Sequence, residues 1–318
     1  MVLIFQFILS LFLLYIGAEI IINTSIVISN KLKIPRIIIG LTIVSFATSL
    51  PELFVSLQAA LKNASDFAIG NIIGSNISNI TLVLGATSIV YPIVLQKEEF
   101  RLQYVSLLLT TIFFCFCFFN LDTLNHNYGI ISILLLTCFN IFLFVKGVSI
   151  VPHDFFHDNN LKILYFNFNI KSNLVLIIIA IIGSIILWLA SEMLIDSSRK
   201  IAHLLSISDR IISLTLVAVG TSLPELIASI YSAFKKETKL AIGNLLGSNI
   251  FNILSVIGFT SLITDLKLNS IMNYDIVIMF LFTMLLVPTY YIGKGIINRR
   301  VGFIILFLYI TYILSILI

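Results

Sequence analysis

Charge is scarce in this chain of 318 residues: Asp, Glu, Lys and Arg together make up 11% of it, against 59% hydrophobic residues. So few polar side chains cannot cover a water-soluble globule, and a bilayer is the solvent the composition fits. Histidine is rare and badly placed for metal work. His126, His153, His157 and His203 all fall outside the long apolar runs, which disfavours a zinc or copper pathway. His153-Asp154 and His157-Asp158 have ligand-like spacing, yet they sit in a short loop with no third partner and read as a solvated segment. Cys115, Cys117 and Cys138 lie inside apolar runs, where they suggest packing and no disulfide framework. No stretch is basic enough to suggest a nucleic-acid partner. The first apolar run lacks a basic flank and a small-residue cleavage site, so it is expected to be a retained helix.

What the chain has in abundance is apolar runs of the length, roughly 20 residues, that crosses about 30 Å of hydrocarbon. Ten are expected, near residues 3–24, 37–61, 67–91, 102–119, 128–146, 174–196, 210–234, 240–263, 274–292 and 301–318. Lys and Arg sort cleanly between the loops that ten spans create. Lys62, Arg199, Lys200, Arg210 and Lys267 fall on one side, and the other fourteen fall opposite. The positive-inside bias then puts both termini outside and the loop of residues 147–173 in the cytoplasm.

Slid against itself by 173 residues, the sequence aligns Leu14–Gly85 with Leu187–Gly258 without a gap. T-S-L-P-E-L at Thr48–Leu53 recurs at Thr221–Leu226, and A-I-G-N-x-x-G-S-N-I-x-N-I at Ala68–Ile80 recurs at Ala241–Ile253. Each copy holds five spans, and an odd number of crossings forces the second copy to enter from the opposite face. The fold class is therefore all-α and integral to a membrane, with two inverted five-helix repeats over 1–147 and 174–318 joined by a short loop over 148–173. Inverted repeats are a recurrent construction of secondary transporters.

Pro51 and Pro224 lie mid-span, where a proline removes a backbone bond and breaks the helix. Carbonyls near the break, including those around Ser45 and Ala218, become candidate cation ligands, since exposed backbone at membrane depth is tolerated only where it lines a cavity. Glu52 and Glu225 follow the prolines directly, and no Lys or Arg lies at matching depth. A carboxylate there needs a mobile positive partner. Thr48 and Thr221, four residues earlier, share a face with these acids, and Ser49 and Ser222 add hydroxyls. In the next span, Asn71, Ser75 and Asn79 form a polar stripe that Asn244, Ser248 and Asn252 repeat. Together the halves supply the 6 to 8 oxygens that calcium takes. Gly70, Gly74, Gly243 and Gly247 read as close-packing positions. Glu19 and Glu192 match at the same offset and stay open between a structural and a pathway role, and Asn71 and Asn244 stay open between lining the pathway and supporting the ligands from behind.

At these motifs the chain resembles the cation/calcium exchanger superfamily, whose two repeats carry G-T-S-x-P-E and G-S-N-x-x-N/D patterns. The resemblance covers most of the chain. It implies that spans 2, 3, 7 and 8 build the ion site while spans 1 and 6 move as a gating pair. It further implies calcium at Thr48, Glu52, Thr221 and Glu225, and sodium sites that add Ser49, Ser75, Asn79, Ser222, Ser248 and Asn252 with backbone oxygens of Ser45 and Ala218. Ala47 departs from the usual glycine, which Gly220 keeps. Asn252 stands where potassium-dependent relatives carry Asp, so potassium co-transport is not expected. The proton/calcium branch typically has an acidic motif in place of G-N-x-x-G-S-N, which tilts the reading toward sodium and leaves the proton open. A loop of about 27 residues cannot hold a regulatory calcium-binding domain, which takes on the order of 100.

The expected activity is thus antiport of calcium against sodium, or against protons, by alternating access across a plasma or inner membrane. It is a transporter's activity and not an enzyme's. Calcium, sodium and lipid are the expected partners, with no cofactor and no obligatory protein partner for a monomer. A passive channel lined with oxygens and an intramembrane hydrolase are the rival classes. The hydrolase lacks a histidine base in any span, and the channel leaves the paired acids' demand for exchange unexplained.

Overall fold

The computed structural model describes residues 2–147, 160–164, 166–170, 172–204 and 220–317. His153, His157 and the Ala218 carbonyl lie outside the described residues. Hydrocarbon offers backbone groups no partners, so a long apolar run must satisfy its own by coiling into a helix. The chain does this in α1 (Val2–Leu32), the broken pair α2 (Arg36–Thr48) and α3 (Leu50–Leu61), α4 (Ser65–Val90), α5 (Lys97–Asn120) and α6 (His126–Val145). The second half supplies α7 (Asn173–Leu204), α8 (Leu223–Phe234), α9 (Thr238–Ile263), α10 (Asn273–Ile292) and α11 (Arg299–Leu317). Among the described residues, eight helices are long and apolar enough to span, nine if the pair bent by 43° counts as one. The one expected span left over, the seventh at 210–234, is described only from residue 220 onward.

Several helices outrun their apolar cores. The seventh helix continues past the expected end at 196 to Leu204, where an Asp196–Lys200 pair at 2.6 Å supports the exposed turn. Hydropathy marks only the stretch in hydrocarbon, while helix geometry carries on into the interface.

Short antiparallel ribbons, which the helical pattern gives no hint of, join the spans. β1 (Ile93–Val94) pairs with β6 (Ile296–Ile297), and β2 (Thr123–Leu124) pairs with β5 (Leu266–Lys267). Adding 173 to β1 gives β5, and adding it to β2 gives β6. The repeat operation therefore exchanges the two ribbons. They lie at opposite ends of α5, since β1 precedes that helix and β2 follows it. An operation that swaps opposite ends of one helix turns the molecule over, which is the inversion the odd span count demanded.

Close approaches obey the same rule. A Cβ on Gly85 would lie 3.0 Å from the Gly302 carbonyl, and one on Gly129 would lie 2.8 Å from the Gly258 carbonyl. Again the offset of 173 turns one contact into the other, carrying Gly85 to Gly258 and Gly129 to Gly302. These glycines let α4 meet α11, and α6 meet α9, at backbone distance, the usual device for helix contact in lipid.

One face gathers five loops. Arg36 pairs with Glu237, Lys239 with Glu99 at 3.0 Å, and Lys31 Nζ donates to the Ile170 carbonyl at 3.0 Å, while β1 and β6 tie in the remaining loop. A hairpin, β3 (Leu161–Ile163) and β4 (Phe166–Phe168), lies along α1 on this face. There Asn23 Nδ2 donates to the Lys162 carbonyl at 2.6 Å and to Tyr231 Oη at 3.3 Å. These are the loops that collect most of the Lys and Arg. Cysteines replacing Lys97 and Lys294 should react with an impermeant thiol reagent from one side of a sealed vesicle, and one replacing Lys267 from the other. Labelling of all three from the same side would contradict the inverted arrangement.

Candidate ion-binding site

The site begins at two matched breaks. Ser49 leaves helical geometry at φ −85°, ψ 5°, and Ser222 does the same at φ −83°, ψ 5°. Each serine occupies the N-cap position of a new helix, without a side-chain capping bond, with Pro in the first turn and the glutamate just behind it. Pro51 offers no N–H to the Ala47 carbonyl, and Pro224 none to that of Gly220. Gly220's carbonyl receives the Ser191 hydroxyl instead, at 2.8 Å. The Ser45 carbonyl, expected to be released, keeps its helical donor, the Ser49 N–H 2.9 Å away. The break thus frees the carbonyl four residues before the proline and not the one six before it.

The polar stripes face these breaks across the repeat boundary. Thr48 Oγ1 donates to Asn244 Oδ1 at 3.1 Å, and Thr221 Oγ1 donates to Asn71 Oδ1 at 3.2 Å. Thr48 Oγ1 and Ser248 Oγ are 3.3 Å apart, as are Thr221 Oγ1 and Ser75 Oγ. Reciprocity of this kind, where residue i meets j and the copy of j meets the copy of i, is the signature of a two-fold relation. Asn244 and Asn71 are themselves held, because their Nδ2 groups donate to Ser229 and Ser56, both at 3.1 Å. With both amide ends engaged, these asparagines fix the threonines' protons and leave threonine lone pairs for another partner. Ser56 and Ser229 were not among the expected site residues. Their signal was present, since the two serines stand at the same 173-residue offset.

Deeper in the spans, α4 and α9 each widen into one π-helical turn, at Asn79–Val83 and Asn252–Ile257. Such turns interrupt the regular ladder and recur at functional sites. Asn79 Nδ2 donates to Asn249 Oδ1 at 3.2 Å, and Asn252 Nδ2 donates to Asn76 Oδ1 at 3.1 Å. The turn at Asn79 packs on α8, which carries Glu225, and the turn at Asn252 packs on α3, which carries Glu52.

Thr48, Ser49, Glu52, Ser75, Asn79, Thr221, Ser222, Glu225, Asn244, Ser248 and Asn252 are all buried, with both glutamates at 0% exposure, while Asn71 is half-buried. Ser49 Oγ donates to Glu225 Oε1 at 3.2 Å. Six oxygens of this set have no hydrogen-bond partner: both of Glu52, Oε2 of Glu225, Oγ of Ser222, and Oδ1 of Asn79 and of Asn252. Buried acceptors in such a group suit a hard cation, which takes oxygen ligands. No group of three or more His, Cys, Asp or Glu occurs among the described residues, so the donor set is oxygen-rich with only two formal charges.

Outside this cluster the matched acids part company. Glu19 is buried and accepts the Leu164 N–H of the loop hairpin at 3.1 Å, whereas Glu192 is exposed. Among the described residues the hairpin occurs once, so it breaks the symmetry there. The glycine stripe is a packing surface in the second repeat. A Cβ on Gly243 would lie 2.5 Å from the Ile37 carbonyl, and one on Gly247 only 2.1 Å from Ser45 Oγ and 2.8 Å from Leu41 Cα. For Gly70 and Gly74 the equivalent neighbours, residues 210–218, lie outside the described set.

The sodium/calcium exchanger protein family matches residues 2–147 and 175–318, which are nearly the whole chain and leave out only the loop. The chain belongs to this family. It is a multi-pass membrane cation exchanger and not an enzyme. A solved sodium-calcium exchanger, NCX_Mj, soaked with 2.5 mM Na+ and 0.1 mM Ca2+, superposes with a TM-score of 0.81 at 30% identity over 99% of this chain and 98% of that one. An uncharacterised membrane protein of Methanocaldococcus jannaschii is 33% identical over 97% of this chain and 96% of its own length. The sodium/calcium exchanger MaX1 of Methanosarcina acetivorans is 28% identical over 81% and 82% respectively. The family's two matched segments coincide with the two halves related by the 173-residue offset. Gly247→Ala should lower the thermal midpoint in detergent, because Leu41 backbone blocks the added methyl and overpacking of this kind costs about 1–3 kcal/mol. An unchanged midpoint would show that α2 and α9 are not in backbone contact.

Proposed function

We propose that this exchanger moves calcium against sodium by alternating access at a single site built around Glu52 and Glu225. The observation that carries the reading is the burial of both carboxylates at 0% exposure with no Lys or Arg among the described residues bonded to either. Two such anions close together in a low dielectric repel each other and lack solvation. A calcium ion neutralises both at once, and several sodium ions do so by number. Thr48, Glu52, Thr221 and Glu225 hold calcium in this scheme. Sodium adds Ser49, Ser75, Asn79, Ser222, Ser248 and Asn252, with the backbone around Ser45 and Ala218 at the margins.

Because the empty, doubly charged site is costly, only filled forms cross between outward-open and inward-open states, and the two ion flows become coupled. The switching element is the pair α1 and α7, which pack along one another, with Gly17 against Leu187 and Gly183 against Ile20 and Ile21. Sliding of a packed helix pair is one of the established routes of domain motion. The face bearing most of the Lys and Arg is cytoplasmic under the positive-inside bias, with both termini outside. The chain acts as a monomer in the plasma or inner membrane.

Reconstituted vesicles loaded with sodium should take up labelled calcium when sodium is absent outside, and Glu52→Gln and Glu225→Gln should each abolish that uptake. Uptake driven by a pH gradient and indifferent to sodium would replace sodium with the proton. Calcium leak with no opposing ion would overturn antiport altogether.

A further inference from the structure

Asn79 and Asn252 leave one question open that their positions do not answer. An asparagine amide has an acceptor oxygen at one end and a donor nitrogen at the other, nearly equal in size. Turned one way it offers a lone pair to a cation; turned the other way it offers two partial positive hydrogens. What fixes the turn is the hydrogen bond on the far end. Here Asn79 gives its Nδ2 to Asn249 Oδ1, and Asn252 gives its Nδ2 to Asn76 Oδ1. Each of Asn79 and Asn252 is thereby left with a buried oxygen that has no partner.

Asn76 is oriented in its turn. Its Nδ2 lies 3.7 Å from Met279 Sδ, a weak acceptor that leaves the Asn76 oxygen toward Asn252. All four amides are almost fully buried, so water cannot take over the role. We propose that Asn76 and Asn249 are positioning residues for ion selectivity and affinity: each accepts the amide nitrogen of an asparagine in the opposite repeat and so holds that asparagine's oxygen toward the ion. The inference rests on Asn79 and Asn252 being ion ligands. It assigns Asn76 and Asn249 no contact with the ion themselves.

The test is a double-mutant cycle on calcium uptake in sodium-loaded vesicles, read as the internal sodium concentration that half-saturates uptake. Asn249→Leu removes the acceptor and should raise that half-saturating sodium concentration about tenfold, the order expected when a buried polar group loses its partner, with the maximal rate kept. Asn249→Asp, which retains an acceptor oxygen, should restore affinity. In an Asn79→Asp background the ligand has two equivalent oxygens and needs no orienting, so Asn249→Leu should there cost little. Wild-type affinity in Asn249→Leu, or the same loss in both backgrounds, would overturn the proposal, the second result indicating a packing role alone. Asn79→Leu with unchanged ion affinity would instead sink the ligand reading beneath it. The matching cycle of Asn76→Leu with Asn252→Asp keeps the question answerable if one variant does not fold, as judged by its thermal midpoint in detergent.

Discussion

Two carboxylates buried in the middle of a membrane protein, with no Lys or Arg among the described residues bonded to them, set the terms for everything around them. A charge there is tolerated only if the surrounding groups can solvate it or a mobile ion can neutralise it. The structure provides for both. Broken helices and π-helical turns place hydroxyl and amide oxygens around the acids, and asparagine and serine side chains behind them commit protons away from the centre. Basic side chains are kept to the rims, where Arg36 and Lys239 find Glu237 and Glu99.

Much of this was legible in the sequence because hydropathy and duplication are properties of the sequence itself. The offset of 173 placed Thr48 opposite its copy Thr221 and Glu52 opposite Glu225 before any geometry was known. The same offset reaches further than the aligned block, out to the ribbons and to Gly129 and Gly302. In the ribbons the paired residues differ in identity, Ile93 against Leu266 and Thr123 against Ile296, so similarity of letters fails while similarity of place persists.

What the sequence hid were properties that arise only between segments. Nothing in Ser45 announces that its carbonyl keeps a donor while a proline six residues later frees another. Glu19 and Glu192 look equivalent until the loop hairpin reaches one of them and leaves the other exposed. Asn76 and Asn249 sit inside a recognised motif, but their part in it depends on which amide end meets which across the repeats. A lone sequence carries no record of that direction.

The reciprocity of the threonine and asparagine bonds makes neither half self-sufficient. Thr48 finds its acceptor in the second half and Thr221 finds its own in the first, so the constellation exists only if the halves are threaded through the bilayer in opposite senses. That threading is set during insertion by loop lysines and arginines far from any ion. The topogenic charge is therefore as much a component of the proposed ion site as the carboxylates. Redistributing cations among the loops of one half would dismantle the centre without altering a single residue in it.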